Sequence, residues 1–208
     1  MSFLTKARQF IDGHYKTPKG LIGTFIGEKM VRQHKTETDW SLELMDVQKG
    51  DKILELGCGA GYAIKLISEK DLAKEIVGLD ISPTVIRSAN IRNKRAIREK
   101  RVKLVQANLN NLPFQNEDFH KIFSIQTIYF WTEIDKTISE IYRVLKFEGV
   151  FVLTFSDGKK DEIWEGLRDI TENQVILHMR NAGFKDVSLL RGPDSRGYHT
   201  VGVRGTKK

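Results

Sequence analysis

Short apolar runs alternate with helical stretches over most of this 208-residue chain, and that alternation limits the fold more than any other feature. The runs lie at residues 52–56, 75–79, 102–107, 119–125 and 150–155, with two more near residues 185–190 and 198–203. Strands that alternate with helices imply βαβ units. The last two runs flank a Gly192-Pro193-Asp194 turn and can pair antiparallel. The pattern predicts an α/β fold around a doubly wound, mostly parallel sheet.

The first 48 residues carry a helical pattern instead. Phe3, Ala7, Phe10 and Ile11 follow the i, i+4, i+7, i+8 spacing of one apolar helix face. Ligands of doubly wound sheets bind beyond the carboxyl ends of the strands, and a helical extension can fold over that edge. We therefore predict a helical lid at residues 1–48 and an α/β domain at residues 49–208.

Composition narrows the class of protein. Hydrophobic residues make up 40% of the chain and charged residues 29%, which is ordinary for a globular protein. No window approaches the roughly 18 apolar residues that a membrane span needs. Lys6, Arg8 and Asp12 interrupt the N-terminal apolar residues, so a signal peptide is not expected. The single Cys58 cannot form an internal disulfide, and no Cys/His spacing suggests zinc. We expect a cytoplasmic protein without a metal site.

The segment ILELGCGAGYAIKL, which begins at Ile53, places three glycines within five residues at the first strand-to-helix junction. Gly57 and Gly59 permit backbone angles, and a close approach, that a Cβ would block. Gly61 lets the following helix begin tight against the strand. Amide groups at the start of that helix favour a negatively charged ligand group. A ligand is therefore predicted to lie against this loop.

The glycine spacing argues against a dinucleotide. The fingerprint G-x-G-x-x-G has its third glycine five residues after the first. Here the third glycine comes one residue early, and Tyr62 occupies the expected position. Asp80 ends the second predicted strand, where a carboxylate can accept both hydrogen bonds from a ribose diol. These features predict a nucleoside ligand and leave a hydride-transferring oxidoreductase as a remote alternative.

Four segments in order, ILELGCGAG, VGLDIS, NNLPF and IYRVLKFEGVFVL, resemble the motifs of class I S-adenosylmethionine-dependent methyltransferases. The likeness covers roughly residues 47–190. Within the family, the chain looks most similar to the small-molecule branch related to ubiquinone and menaquinone biosynthesis methyltransferases. The resemblance implies a Rossmann-like sheet of seven strands with the last strand antiparallel. It also implies S-adenosylmethionine as cofactor and S-adenosylhomocysteine as product.

By position, the resemblance also implies which residues contact the cofactor. The first motif would hold the methionine half, Asp80 the ribose, and Ile81 would lie beside the adenine. Asn108 stands where the family usually has an Asp that accepts from the adenine amino group, and its amide oxygen can accept the same bond. Gln126 is placed to contact the methionine amine. The implied contacts are Glu55, Gly57, Cys58, Gly59, Gly61, Asp80, Ile81, Ala107, Asn108, Leu109 and Gln126.

The segment SIQTIYFW, residues 124–131, ends the fourth predicted strand, where an acceptor should meet the methyl group. Because a sulfonium is already a good leaving group, the enzyme mainly has to align and desolvate the reactants. Tyr129, Phe130 and Trp131 can line an acceptor pocket or, alternatively, pack against helices. A general base is needed only for a protonated acceptor. The candidate acid–base residues are His14, Tyr15, His34 and Tyr129.

Residues 87–103 carry Lys or Arg at eight positions and only Glu99 in opposition, within a chain of net charge +7. As one helix, this run either forms a solvated outer face or binds an anionic surface such as RNA or acidic lipid. We predict a methyltransferase with a small-molecule acceptor. The alternatives are an RNA or lipid-headgroup methyltransferase that uses the basic helix 87–103, and a non-catalytic cofactor-binding module.

Overall fold

A computed structural model describes residues 35–208 as an α/β fold built on one sheet. The strands are β1 (Lys52–Leu56), β2 (Glu75–Asp80), β3 (Val102–Gln106), β4 (Phe119–Ile125), β5 (Leu145–Lys159), β6 (Glu162–Ile163), β7 (Phe184–Arg191) and β8 (Tyr198–Lys207). The helices are α1 (Lys35–Met45), α2 (Tyr62–Lys70), α3 (Pro83–Arg92), α4 (Lys94–Arg98), α5 (Ile134–Val144), α6 (Glu165–Ile170) and α7 (Leu177–Ala182). A 3-10 turn spans Ile128–Phe130, and a π-helical segment, Thr171–Ile176, joins α6 to α7.

The strand order is β3-β2-β1-β4-β5-β8-β7, and the short β6 pairs with β5. The pairs among β1 to β5 are parallel, whereas β8 is antiparallel to both β5 and β7. This confirms the predicted doubly wound, Rossmann-like sheet with its last strand antiparallel. The chain order reverses between β1 and β4, so the carboxyl ends of these strands form the crevice in which such sheets bind ligands.

Two predicted boundaries were wrong. The fifth strand begins at Leu145 rather than at residue 150, because α5 runs into β5 without a loop. Exposed residues such as Phe147 and Glu148 hide that beginning in the sequence pattern. The two-residue β6 was not predicted, since it is too short to show any periodicity.

Both faces of the sheet are covered, as a parallel sheet requires. On one face, α1 and α2 bury a cluster that includes Ile53, Ile64 and Phe123. On the other, α5 and α7 bury a cluster that includes Leu54 and Phe151. Because successive residues of β1 point to opposite faces, the strand is an unbroken buried run that ends directly at the glycine loop.

The described part of the predicted lid, residues 35–48, packs on the sheet. A Cβ built on Gly192 would lie 2.6 Å from the Trp40 indole, and one built on Gly202 in β8 would lie 3.0 Å from it. Helix α1 therefore lies close against β8. Residues 1–34 lie outside the described residues, and with them His14, Tyr15 and His34. Whether residues 1–48 act as a lid stays a prediction. Within residues 35–208, the helices are too short or too polar to cross a bilayer.

The prediction of one basic helix over residues 87–103 was wrong. Helix α3 ends at Arg92 and α4 ends at Arg98, and Asn93 separates them. Two of the eight basic side chains are also paired locally, because Glu99 bonds both Arg95 and Arg101. The run is therefore two short helices and a turn rather than one continuous basic stripe.

Gly78, in the middle of β2, should be essential to the packing of α2. A Cβ there would lie 2.2 Å from Ile64 Cδ1 and 2.8 Å from Leu104 Cδ2. Such overpacking typically lowers stability by about 1–3 kcal/mol. We expect Gly78→Ala to lower the free energy of unfolding by that amount in urea titrations, and Ser88→Ala, at a half-buried position of α3, to change it little. Equal stability of the two variants would contradict this packing.

Candidate functional site

The three glycines of the loop between β1 and α2 have different surroundings. All have positive φ: 72° at Gly57, 50° at Gly59 and 74° at Gly61. A Cβ on Gly57 would lie 2.5 Å from Thr127 Cγ2, and one on Gly61 would lie 2.5 Å from Asn93 Nδ2. No atom of residues 35–208 would come within 4 Å of a Cβ on Gly59. The loop is thus held by protein at both ends and is open in the middle.

Asp80, at the end of β2, ties this loop to the neighbouring strand. Its Oδ2 accepts from the Gly59 N–H at 3.0 Å, and its Oδ1 accepts from the Ser82 N–H at 2.9 Å. Each carboxylate oxygen keeps a second lone pair. The half-buried Asp80 is therefore oriented beside the open part of the loop and can still accept bonds from a diol.

Glu55, the buried carboxyl of β1, lies under the same loop and is only 5% exposed. Burial raises the pKa of this carboxyl well above its ordinary value, and the nearby Asp80 raises it further, although the Ile64 N–H opposes the shift. Glu55 Oε2 has no hydrogen-bond partner among the described residues. A cationic donor such as an ammonium group would satisfy this oxygen and offset the burial of its charge.

Cys58 turns its side chain away from the open part of the loop. The residue is 5% exposed, and its thiol packs toward Gly78, where a Cβ would lie 3.1 Å from Sγ. Burial, followed by the charges of Glu55 and Asp80, raises the pKa of the thiol. A buried neutral thiol is a poor nucleophile, so only the backbone of Cys58 is placed to meet a ligand.

The residues predicted to surround an adenine meet beyond β2 and β3. Ala107 donates its N–H to the Asp80 carbonyl at 3.1 Å, which keeps the two strand ends together. The Ile81 side chain is 66% exposed, and Leu109 is partly buried. Asn108 Oδ1 already accepts from the Asn110 N–H at 2.9 Å. An adenine amino group would therefore have to use the second lone pair of that oxygen.

Tyr129 and Gln126 complete the edge of the sheet beyond β4. The register pairs Ile125, the last residue of β4, with Thr154, so Ser156 on β5 extends past its neighbour. The Tyr129 hydroxyl accepts from the Ser156 N–H at 3.0 Å and donates to the Ser156 carbonyl at 2.9 Å. It therefore takes the place of a missing strand partner. These bonds give Tyr129 a structural role, and its predicted acid–base role stays a prediction.

Gln126 has an unusual backbone for a non-glycine residue, with φ of 57°. Its Nε2 donates to Ser156 Oγ at 3.0 Å, and its Oε1 lies 2.8 Å from the Tyr129 hydroxyl oxygen. Strained residues of this kind persist where the surroundings over-determine them, and they cluster at functional sites. Here the bonds to Ser156 and to the Thr154 carbonyl hold Gln126 in this conformation at the junction of β4 and β5.

A second chain of hydrogen bonds fixes Thr127 against Gly57. Ser124 Oγ donates to the Leu56 carbonyl at 2.7 Å and also bonds the Thr127 hydroxyl. The Trp131 indole N–H donates to the same Thr127 hydroxyl at 3.1 Å. Sequence reasoning missed Thr127 as a site residue, since a threonine in a loop carries no signal that it will pack on a distant glycine.

Of the aromatic residues predicted to line an acceptor pocket, Trp131 is a core residue at 7% exposure. Phe130 is 56% exposed and meets Tyr129 edge-on, with ring centroids 6.5 Å apart. Phe130 is thus the aromatic side chain of this segment that a ligand can reach.

The chain is similar in sequence and in fold to known proteins. Residues 54–153 match the family described as a methyltransferase domain. The chain is 26% identical over 163 residues to the uncharacterized methyltransferase YdaC of Bacillus subtilis (strain 168), covering 78% of this chain and 87% of that protein. It is 30% identical over 171 residues to the chloroplastic 2-methyl-6-phytyl-1,4-hydroquinone methyltransferase of Arabidopsis thaliana, covering 77% of this chain and 49% of that protein. A solved structure, a SAM dependent methyltransferase from Aquifex aeolicus, superposes with a TM-score of 0.72 at 18% identity, over 89% of this chain and 98% of that one.

The buried Glu55 predicts a pH dependence of stability. Because its pKa is raised in the folded protein, the folded state keeps a proton that the unfolded chain releases near pH 4.5, and rising pH above that value favours unfolding. We expect Glu55→Gln to gain stability relative to the natural protein as pH rises from 5 to 8, measured by urea unfolding. The exposed Glu43→Gln is the control. A stability difference that does not change with pH would contradict the assignment.

Proposed function

Because this chain is a class I S-adenosylmethionine-dependent methyltransferase, we propose that it transfers the methyl group of S-adenosylmethionine to a small-molecule acceptor. The observation that carries the proposal is the open backbone at Gly59 beside the oriented carboxylate of Asp80. This arrangement suits a nucleoside that carries an extended tail, since the sugar and the tail need adjacent polar and unobstructed surfaces.

We propose that the residues around the crevice divide the cofactor between them. Gly57, Cys58, Gly59 and Gly61 would lie along the methionine half by their backbone, and the unpartnered oxygen of Glu55 supports an ammonium group nearby. Asp80 would accept from the ribose diol. The adenine would lie beside Ile81, Ala107, Asn108 and Leu109, and Gln126 would face the methionine end. When bound, the cofactor supplies a methyl group on a sulfonium, which needs no further activation.

The residues of this chain act mainly by orientation and by excluding water. Orientation alone can contribute roughly 7–11 kcal/mol to a reaction between two aligned groups. The Tyr129 hydroxyl is bonded to both backbone groups of Ser156, and the Cys58 thiol is buried with a raised pKa, so neither side chain is arranged to act as a base or as a covalent nucleophile. In-line displacement directed by the β4–β5 edge is therefore the proposed mechanism.

The proposed acceptor is a small molecule with an apolar or aromatic part. The Phe130 side chain, 56% exposed just beyond β4, gives the acceptor side an apolar surface. The Arabidopsis relative is named for a hydroquinone acceptor, which is consistent with a place near the quinone-biosynthesis branch. We further propose that residues 1–48 cover the acceptor side, and that the protein works in a reducing cytoplasm, since its single cysteine is buried.

Removal of the Asp80 carboxylate tests the placement of the ribose. We expect Asp80→Ala to weaken S-adenosylhomocysteine binding by about 1–3 kcal/mol, because the diol loses its acceptors. Isothermal titration calorimetry measures the Kd, with the exposed Asp135→Ala as the control. An unchanged Kd for Asp80→Ala would place the ribose elsewhere.

A transfer assay identifies the acceptor class. The purified protein is incubated with methyl-labelled S-adenosylmethionine and, separately, with a small-metabolite extract, total RNA and vesicles that contain acidic lipids. We expect label in the metabolite fraction only, and a loss of that label with Asp80→Ala. Label in RNA or in lipid would overturn the small-molecule proposal. Binding of the cofactor without transfer to any fraction would indicate a non-catalytic binding module.

A further inference from the structure

We propose that Arg92 and Asn93 are positioning residues that hold the glycine loop in the shape that recognises the amino-acid half of the cofactor. Both lie at the end of α3, outside the residues that the motifs assign to cofactor binding. The inference rests on the cofactor placement proposed above.

Asn93 is a buried amide wedged between the loop and two helices. Asn93 is only 3% exposed. Its Nδ2 donates to the Gly61 carbonyl at 2.9 Å and to the Ala89 carbonyl at 3.0 Å. Its backbone N–H donates to the Ala89 carbonyl at the end of α3, and its own carbonyl accepts from the Ile97 N–H in α4. The backbone bonds fix the position of Asn93, and the two bonds from Nδ2 fix the direction of its side chain.

Arg92 holds the preceding peptide of the same loop. Its Nε donates to the Ala60 carbonyl at 2.8 Å, and a bond from a charged donor is stronger than one between neutral groups. Two consecutive carbonyls, those of Ala60 and Gly61, are therefore fixed by two consecutive side chains. Since a trans peptide is planar, a fixed carbonyl also fixes the N–H of the next residue, which points the opposite way.

The loop is consequently held from two sides. The Gly61 N–H donates to the Cys58 carbonyl at 2.8 Å and closes a tight turn. On the other side, the Gly59 N–H bonds Asp80. Loss of the Arg92 and Asn93 bonds would leave the Ala60 carbonyl without this donor and the Gly61 carbonyl with only the Lys65 N–H at 3.2 Å, so these peptides would be held less firmly, while Asp80 would keep its place at the end of β2. The expected damage is thus confined to the half of the ligand that lies along the loop.

The binding of two ligands distinguishes this positioning role from a general role in stability. S-adenosylhomocysteine has both a nucleoside and an amino-acid tail, whereas 5′-methylthioadenosine has the same nucleoside without that tail. If Arg92 and Asn93 had only a structural role, their substitution would weaken the binding of both ligands to the same extent. If they position the loop, substitution would mainly weaken the binding of S-adenosylhomocysteine, which has the tail.

The variants are Arg92→Met, which keeps the aliphatic stem, and Asn93→Asp, which keeps the shape but removes the donor. The control is Arg95→Met, because Arg95 is a highly exposed arginine of the same region that pairs with Glu99. We expect calorimetry to show a Kd for S-adenosylhomocysteine raised about tenfold in both variants, as for one or two lost hydrogen bonds. The Kd for 5′-methylthioadenosine should change less than about twofold, and the control should change neither.

Equal weakening of both ligands, or no weakening of either, would overturn the inference. If Asn93→Asp does not fold, Arg92→Met decides the question alone, because its side chain is only half-buried. If the natural protein binds neither ligand, the cofactor placement itself has failed and the inference falls with it. Normal binding of both ligands by the natural protein, with no selective loss in the variants, refutes the positioning role and leaves the proposed function intact.

Discussion

The hydrogen bond from the Gly59 N–H to the Asp80 carboxylate is the interaction on which the crevice depends. It joins the loop after β1 to the end of β2, next to the point between β1 and β4 where the strand order reverses. Thr127 against Gly57 and Asn93 against Gly61 hold the rest of the loop. Packing therefore fixes the two ends of the loop, and the Asp80 carboxylate fixes its middle. The space above Gly59 stays open to a ligand.

Glu55 shows that this surface is not arranged for stability alone. A carboxyl with one unpartnered oxygen, buried close to a second carboxylate, opposes folding whenever it is ionised. Replacement by an apolar residue would give β1 the uninterrupted core that its neighbours Leu54 and Leu56 already have. The ammonium group of the proposed cofactor would offset this cost, and binding would then add to the stability of the fold.

Much of the fold could be predicted because its signals are local. The apolar runs of β1, β2 and β4 are bounded by turns, and the order of the elements then follows from the parallel topology. The break at Asn93 was not predictable, since it depends on an amide that bonds a loop far away in the sequence. The roles of Tyr129 and Thr127 were missed for the same reason. Their partners, Ser156 on β5 and Gly57 in the loop after β1, become neighbours only when the sheet forms.

The hydroxyl of Tyr129 has one more consequence, for how the protein behaves among other proteins. Where β5 outruns β4, its free N–H and C=O groups would offer a foreign chain a place to add a strand, which is a route to aggregation. Tyr129 occupies both groups of Ser156 with a single atom. The end of β5 beyond β4 can therefore stay accessible to a small molecule, although another β-strand cannot pair with it at Ser156.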